Sequence, residues 1–231
     1  MLFLQICNAW TEIALYTLAL WARINFIQRR PAGYEERLKL WFQRAGGRPL
    51  HISVVHPMDD DVTSIIWDHS SHLERLELSV GEKDEPESES EDEDNGIDME
   101  FWDIWSSVQP RPLPLLQSLS IHGRANFVFE SLPFVQLLRF SPNLSELILH
   151  DVDFNEDADA ASEKLVLSNL RRLIVDHIPS APADDYDILT FISAPQFRIA
   201  SFTGDGVSYD SRITSFLDRS KPPGGSAGTR R

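Results

Sequence analysis

Apolar positions recur along this chain in one short pattern, Leu-x-x-Leu-x-Leu. The copies are Leu73, Leu76, Leu78; Leu116, Leu119, Ile121; Leu144, Leu147, Leu149; Leu170, Leu173, Val175; and a decayed Phe197, Ala200, Phe202. Their first positions are 43, 28, 26 and 27 residues apart, and the long step contains an acidic insertion. Within each copy the last two apolar residues alternate with polar ones, which predicts a strand with one apolar face. Leu50-His-Ile-Ser-Val-Val55 fits the same template through Ile52 and Val54. Between the strands, apolar residues fall three and four apart, the spacing of a helix face. These sets are Leu38, Trp41, Phe42; Val62, Ile65, Ile66; Phe101, Ile104, Trp105, Val108; Phe134, Leu137, Leu138; Ile188, Phe191, Ile192; and Ile213, Phe216, Leu217. Pro114, Pro142, Ser168 and Pro195 each precede a repeat position by two residues, where they end a helix and turn the chain into a strand.

A strand–helix unit of this length cannot hide its apolar side alone, so neighbouring units must stack. The pattern is similar to that of the leucine-rich-repeat family. The resemblance implies an α/β fold: an irregular leucine-rich-repeat solenoid with a curved parallel sheet, helices on the outside and a helical N-terminal cap. Three residues after the third apolar position stand Gly81, Arg124, Val152 and Ile178, where regular repeats carry Asn or Cys. A side-chain ladder is therefore not expected, hence an irregular solenoid.

The first 26 residues are strongly apolar, yet Glu12 and Arg23 interrupt them and no basic leading region or small-residue cleavage site is present. Gln5, Asn8, Thr11 and Glu12 form a polar stripe opposite Leu2, Ile6, Trp10 and Ile13, which reads as an amphipathic helix, with a membrane anchor as the alternative. Ile6-Cys-Asn-Ala-Trp10-Thr-Glu-Ile-Ala-Leu15 followed by Leu20-Trp21-Ala-Arg-Ile24 resembles the latter half of an F-box. Leu38-Lys-Leu-Trp41-Phe42-Gln-Arg44 and Pro49-Leu50-His-Ile52 are similar to the helix and first strand of fungal F-box/leucine-rich-repeat proteins. The resemblance implies a substrate receptor of an SCF-type ubiquitin ligase, gripping a Skp-family adaptor with the box and an unknown protein substrate with the repeats. It assigns Ile6, Trp10, Leu20 and Trp21 to the adaptor surface of a box lacking its first helix; Trp10 and Trp21 as plain core residues is the alternative. The organisation expected is a partial F-box-like segment over 1–30, a solenoid over 31–218 and a loose tail over 219–231.

Composition sharpens this picture. The chain has 231 residues, 21 basic and 36 acidic, for a net charge of −15. Such a field repels phosphate backbones, so nucleic acid is not an expected partner. The single Cys7 excludes an internal disulfide and points to a reducing, cytoplasmic or nuclear compartment. Neither a membrane nor a cofactor is implied, and a monomer is expected. Glu82 to Asp94 holds nine acids and one lysine, so the insertion over 82–96 is expected to be disordered, either as a solvated loop or as a dock for a basic partner. Ser88 and Ser90 within it each precede an acid by three residues, which suits an acidophilic kinase.

Residues flanking the inward leucines point to the other face of the sheet. They read His51, Ser53, Val55; Arg75, Glu77, Ser79; Ser118, Ser120, His122; Glu146, Ile148, His150; Arg172, Ile174, Asp176; and Ile199, Ser201, Thr203. Arg75, Glu77, His122, Glu146, Ile148, His150, Arg172, Ile174 and Asp176 are the candidate partner-binding residues; an ordinary solvated face is the alternative. Acids crowd the strand-to-helix connections, whereas Arg44, Arg48, His69, His72 and Arg111 mark the opposite rim. No phosphate-cradling loop or nucleophile motif appears, so an enzyme is not expected. His122, His150 and Asp176 share one position of adjacent strands, a remote candidate for zinc.

Overall fold

The computed structural model describes residues 7–26, 33–56, 60–80, 100–102, 111–123, 127–154, 164–176, 188–203 and 209–221. In chain order the strands are β1 (Arg23–Phe26), β2 (Leu50–His56), β3 (Leu73–Val80), β4 (Glu100–Trp102), β5 (Ser118–His122), β6 (Phe127–Phe129), β7 (Glu146–His150), β8 (Asp153–Phe154), β9 (Leu165–Val166), β10 (Arg172–Asp176), β11 (Ile192–Ser193) and β12 (Ile199–Thr203). The helices are α1 (Asn8–Tyr16), α2 (Tyr34–Ala45), α3 (Asp60–Asp68), α4 (Ser131–Arg139), α5 (Ile188–Phe191) and α6 (Tyr209–Arg219), with 3-10 turns at Leu18–Trp21 and Ser70–His72.

The fold is mixed α/β around an open seven-stranded sheet of order β1-β2-β3-β5-β7-β10-β12. Every pair in it is parallel, and each strand between the edges β1 and β12 neighbours the preceding and following units. The register brings Ile24, Ile52, Leu76, Leu119, Leu147, Leu173 and Ala200 side by side. All but Ala200 are buried, in one cluster with Leu38 and Phe42 of α2, Val62 and Ile66 of α3, and Phe134, Leu137 and Leu138 of α4. Each such side chain contributes about 2 kcal/mol by leaving water, which sets the register.

A recurrent tight turn delivers the chain into four of these strands. Backbone N–H groups of Leu116, Leu144, Leu170 and Phe197 donate to the carbonyls of Leu113, Ser141, Leu167 and Ala194, three residues back. Pro114, Pro142, Ser168 and Pro195 occupy the second turn position, where proline's fixed φ is favourable. Against the expectation of no side-chain ladder, the amides just before two repeat leucines build one. Asn143 Nδ2 donates to the Pro114 carbonyl (2.7 Å), and Asn169 Nδ2 donates to the Pro142 carbonyl (2.9 Å).

Three further expectations change. The N-terminal segment is helical over Asn8–Tyr16 but becomes a sheet strand at Arg23–Phe26, so the helix and strand that follow are not the first of the sheet. Trp21-Ala-Arg-Ile24-Asn-Phe26 repeats the same apolar spacing, a signal absorbed into the F-box resemblance. Phe101, expected on a helix, lies in β4 of a small parallel sheet β4-β6-β8, and Ile192 lies in β11, paired with β9. Trp102 also lies in β4; residues 103–108 of the expected helix are outside the described residues, as is the insertion over 82–96. At the C-terminal end, Arg219 and Ser220 are not loose: Arg219 donates to the Leu189 carbonyl, and buried Ser220 Oγ accepts from the Ala194 N–H (3.0 Å).

Candidate functional site

Because side chains alternate along a strand, the polar residue between each pair of buried ones is forced onto the open face. The register lines these up in rows. One runs Arg23, His51, Arg75, Ser118, Glu146, Arg172, Ile199; the next Asn25, Ser53, Glu77, Ser120, Ile148, Ile174, Ser201; the third Val55, Ser79, His122, His150, Asp176, Thr203. All nine candidate partner-binding residues therefore share one face. A groove of about 440 Å³ follows it from Arg23 and Asn25 to Ile148 and His150. Arg172, Ile174 and Asp176 lie on β10, beside β7. Ile148 and Ile174 are neighbours and half-buried.

Polar groups on the β5–β12 side are largely paired with one another. Arg172 Nη1 donates to Glu146 Oε1 (2.6 Å), and Ser118 Oγ donates to Glu146 Oε2 (2.8 Å). The rings of His122 and His150 stack, with centroids 4.8 Å apart and planes at 15°. His150 Nδ1 lies 3.1 Å from Asp176 Oδ2, and Thr203 Oγ1 donates to Asp176 Oδ1. His122 Nε2 lies 2.9 Å from Ser120 Oγ and 3.5 Å from Glu77 Oε1. Burial lowers the His122 pKa from its ordinary 6.5, the adjacent His150 lowers it further and Glu77 opposes both. Parallel rings do not aim their nitrogens at a common point. Among the described residues no three His, Cys, Asp or Glu side chains are placed to hold a metal ion, which removes the zinc reading of His122, His150 and Asp176.

The opposite rim is less uniformly basic than the sequence implied. Arg111 pairs with Asp68 at the end of α3 (2.8 Å), Arg44 lies over the Trp21 ring, and His69 stacks on Phe42. These groups hold the molecule together rather than projecting freely.

The residues assigned to an adaptor surface divide. Leu20 is 49% exposed. Trp21 is only 4% exposed: its Nε1 donates to the Ala14 carbonyl (2.8 Å), and it meets Trp41 edge-on at 4.9 Å. Trp21 is a core residue joining α1 to α2, and its ring is not available to a partner. Trp10 lies on α1, while Ile6, Ser88 and Ser90 are outside the described residues. Sequence reasoning missed the neighbours of Leu20. Ile13, Leu15, Tyr16 (84% exposed) and Leu18 are all solvent-facing, making residues 13–20 the main concentration of exposed large apolar side chains among the described residues.

No family model matches the chain, and no curated protein or solved structure is significantly similar to it. Among the described residues, no helix is long and apolar enough to cross a membrane.

Proposed function

We propose that this chain is a protein-binding module, an irregular leucine-rich-repeat solenoid that serves as a substrate receptor of an SCF-type ubiquitin ligase. The observation that carries the reading is the apolar cluster Ile13, Leu15, Tyr16, Leu18 and Leu20, which coincides with the segment resembling an F-box. Isolated exposed leucines are ordinary, but five exposed large apolar side chains within eight residues invite a partner. In this reading a Skp-family adaptor covers that cluster, and a protein substrate lies on the open face of the sheet. Seven sequential parallel strands with about 27 residues per unit fit a stacked-repeat architecture. The chain acts as an intracellular monomer with respect to itself and uses neither cofactor nor catalytic group of its own.

Co-expression with a Skp-family adaptor tests this. The two are expected to co-elute, and the exposed substitutions Tyr16→Asp and Leu20→Asp to abolish co-elution without lowering the melting temperature. Separate elution of the unsubstituted chain would overturn the ligase reading. A second reading, a repeat scaffold with no ligase link, is favoured by the burial of Trp21, which removes one assigned contact from the adaptor surface. It expects no adaptor association at all.

A further inference from the structure

Charge pairing on the open face is uneven. Toward β12 the cation Arg172 is neutralised by Glu146, and His150 is bonded to Asp176. At the other end, Arg23, His51 and Arg75 stand in one row on β1, β2 and β3. His51 Nε2 meets Glu74 (2.9 Å), but Arg23 and Arg75 are exposed and, among the described residues, have no hydrogen bond or ion pair. Both arginines line the groove, together with the neutral Asn25, Ser53, Ser118 and Ser120. Two acids also line it. Glu146 is already engaged by Arg172 and Ser118, while Glu77 faces His122. On a chain of net charge −15, two cations left unpaired in one groove are an unusual arrangement, and guanidinium is the group best shaped to grip a carboxylate.

We propose that the β1–β3 end of the open face binds an acidic peptide segment of the partner protein, with Arg23 and Arg75 each taking one carboxylate. Their backbones lie two strand spacings apart, about 9.6 Å; carboxylates on one face of an extended peptide are two residues and about 6.6 Å apart, and the long arginine and glutamate side chains span the remaining difference. The overall negative field opposes approach. At physiological salt that field is screened beyond about 8 Å, whereas contact pairs persist. Neutral groove residues then complete the site by hydrogen bonding the peptide backbone. The proposal rests on the open face being the substrate surface.

The test is fluorescence anisotropy at physiological salt, using the full chain and a labelled Gly/Ser peptide with two Glu residues two positions apart. The unsubstituted chain is expected to bind it, and Arg23→Gln and Arg75→Gln each to weaken binding about threefold to tenfold, as expected for a lost charge-assisted pair. Arg37→Gln on the exposed side of α2 is a charge-matched control expected to change nothing, and unaltered circular dichroism establishes that each variant is folded. Failure of the unsubstituted chain to bind, equal binding of a peptide with Gln in place of Glu, or preference for a phosphoserine peptide would each overturn the carboxylate assignment. If adaptor co-elution persists through such a failure, the acidic ligand alone is wrong. Equal weakening by Arg37→Gln would instead place the peptide off this face and count against the face itself.

Discussion

Gly123 sits where β5 ends against the following unit, its N–H donating to the His150 carbonyl at 2.7 Å. A Cβ there would fall 2.0 Å from the Asp151 carbonyl oxygen, closer than any real contact, and Asp151 is itself held at φ 50°. Gly123→Ala should therefore destabilise the fold by about 1–3 kcal/mol through forced backbone movement, read from chemical denaturation. Gly47, with nothing within 4 Å of its would-be Cβ, is the matched comparison, and Gly47→Ala should change stability by less than about 0.5 kcal/mol. A different residue-scale effect follows from His122. Its pKa is lower in the folded chain than the ordinary 6.5, so as pH falls below that value the unfolded chain binds a proton there first. This group's contribution to stability then decreases with falling pH until the lowered pKa is passed. His122→Gln removes this site's contribution, so the loss of melting temperature between about pH 7.5 and pH 5.5 should be smaller than in the unsubstituted chain. An undiminished loss would assign the pH dependence elsewhere.

Among the elements, the turn entering each strand couples one unit to the next. Asn169 reaches the Pro142 carbonyl and lies 3.4 Å from Asn143 Oδ1, so two rungs of amides link three consecutive turns. Both amides are exposed, and Asn169→Ala should cost about 0.5–1.5 kcal/mol by denaturant titration, well below the effect of emptying a core position. Leu119→Ala is the contrast, expected to cost about 2–5 kcal/mol because the residue is fully buried. These elements also explain what was legible in the residues. Strands β3, β5, β7, β10 and β12 and the rows they present follow from period-two alternation, which burial enforces along a whole strand. The paired strands β4, β6 and β8 are two or three residues long, too short for any period to register. Helix α5 is one turn, and its apolar run crosses directly into β11. Strand β1 was hidden differently, because Trp21, Ile24 and Phe26 suit a helical segment as well as a strand until the register with β2 decides. The unpaired state of Arg23 and Arg75 depends on which neighbours reach them across strands, something alternation alone does not encode.

For the molecule as a whole, net charge dominates. Thirty-six acids against twenty-one basic residues repel one another in the compact state more than in the expanded one. Raising sodium chloride from about 0.02 M to 0.5 M should raise the melting temperature by screening this repulsion. A melting temperature that falls with salt would mean that specific ion pairs, such as Arg172–Glu146 and Arg111–Asp68, outweigh it. The strand order has a consequence of its own. Since chain order and spatial order coincide among the described strands, each strand of the sheet pairs with the one made just before it, and a ribosome could finish each layer on the one just made. The terminal layers, each gripped from one side, should then be the first to exchange their amide hydrogens, while the Leu119 and Leu147 layers hold theirs longest.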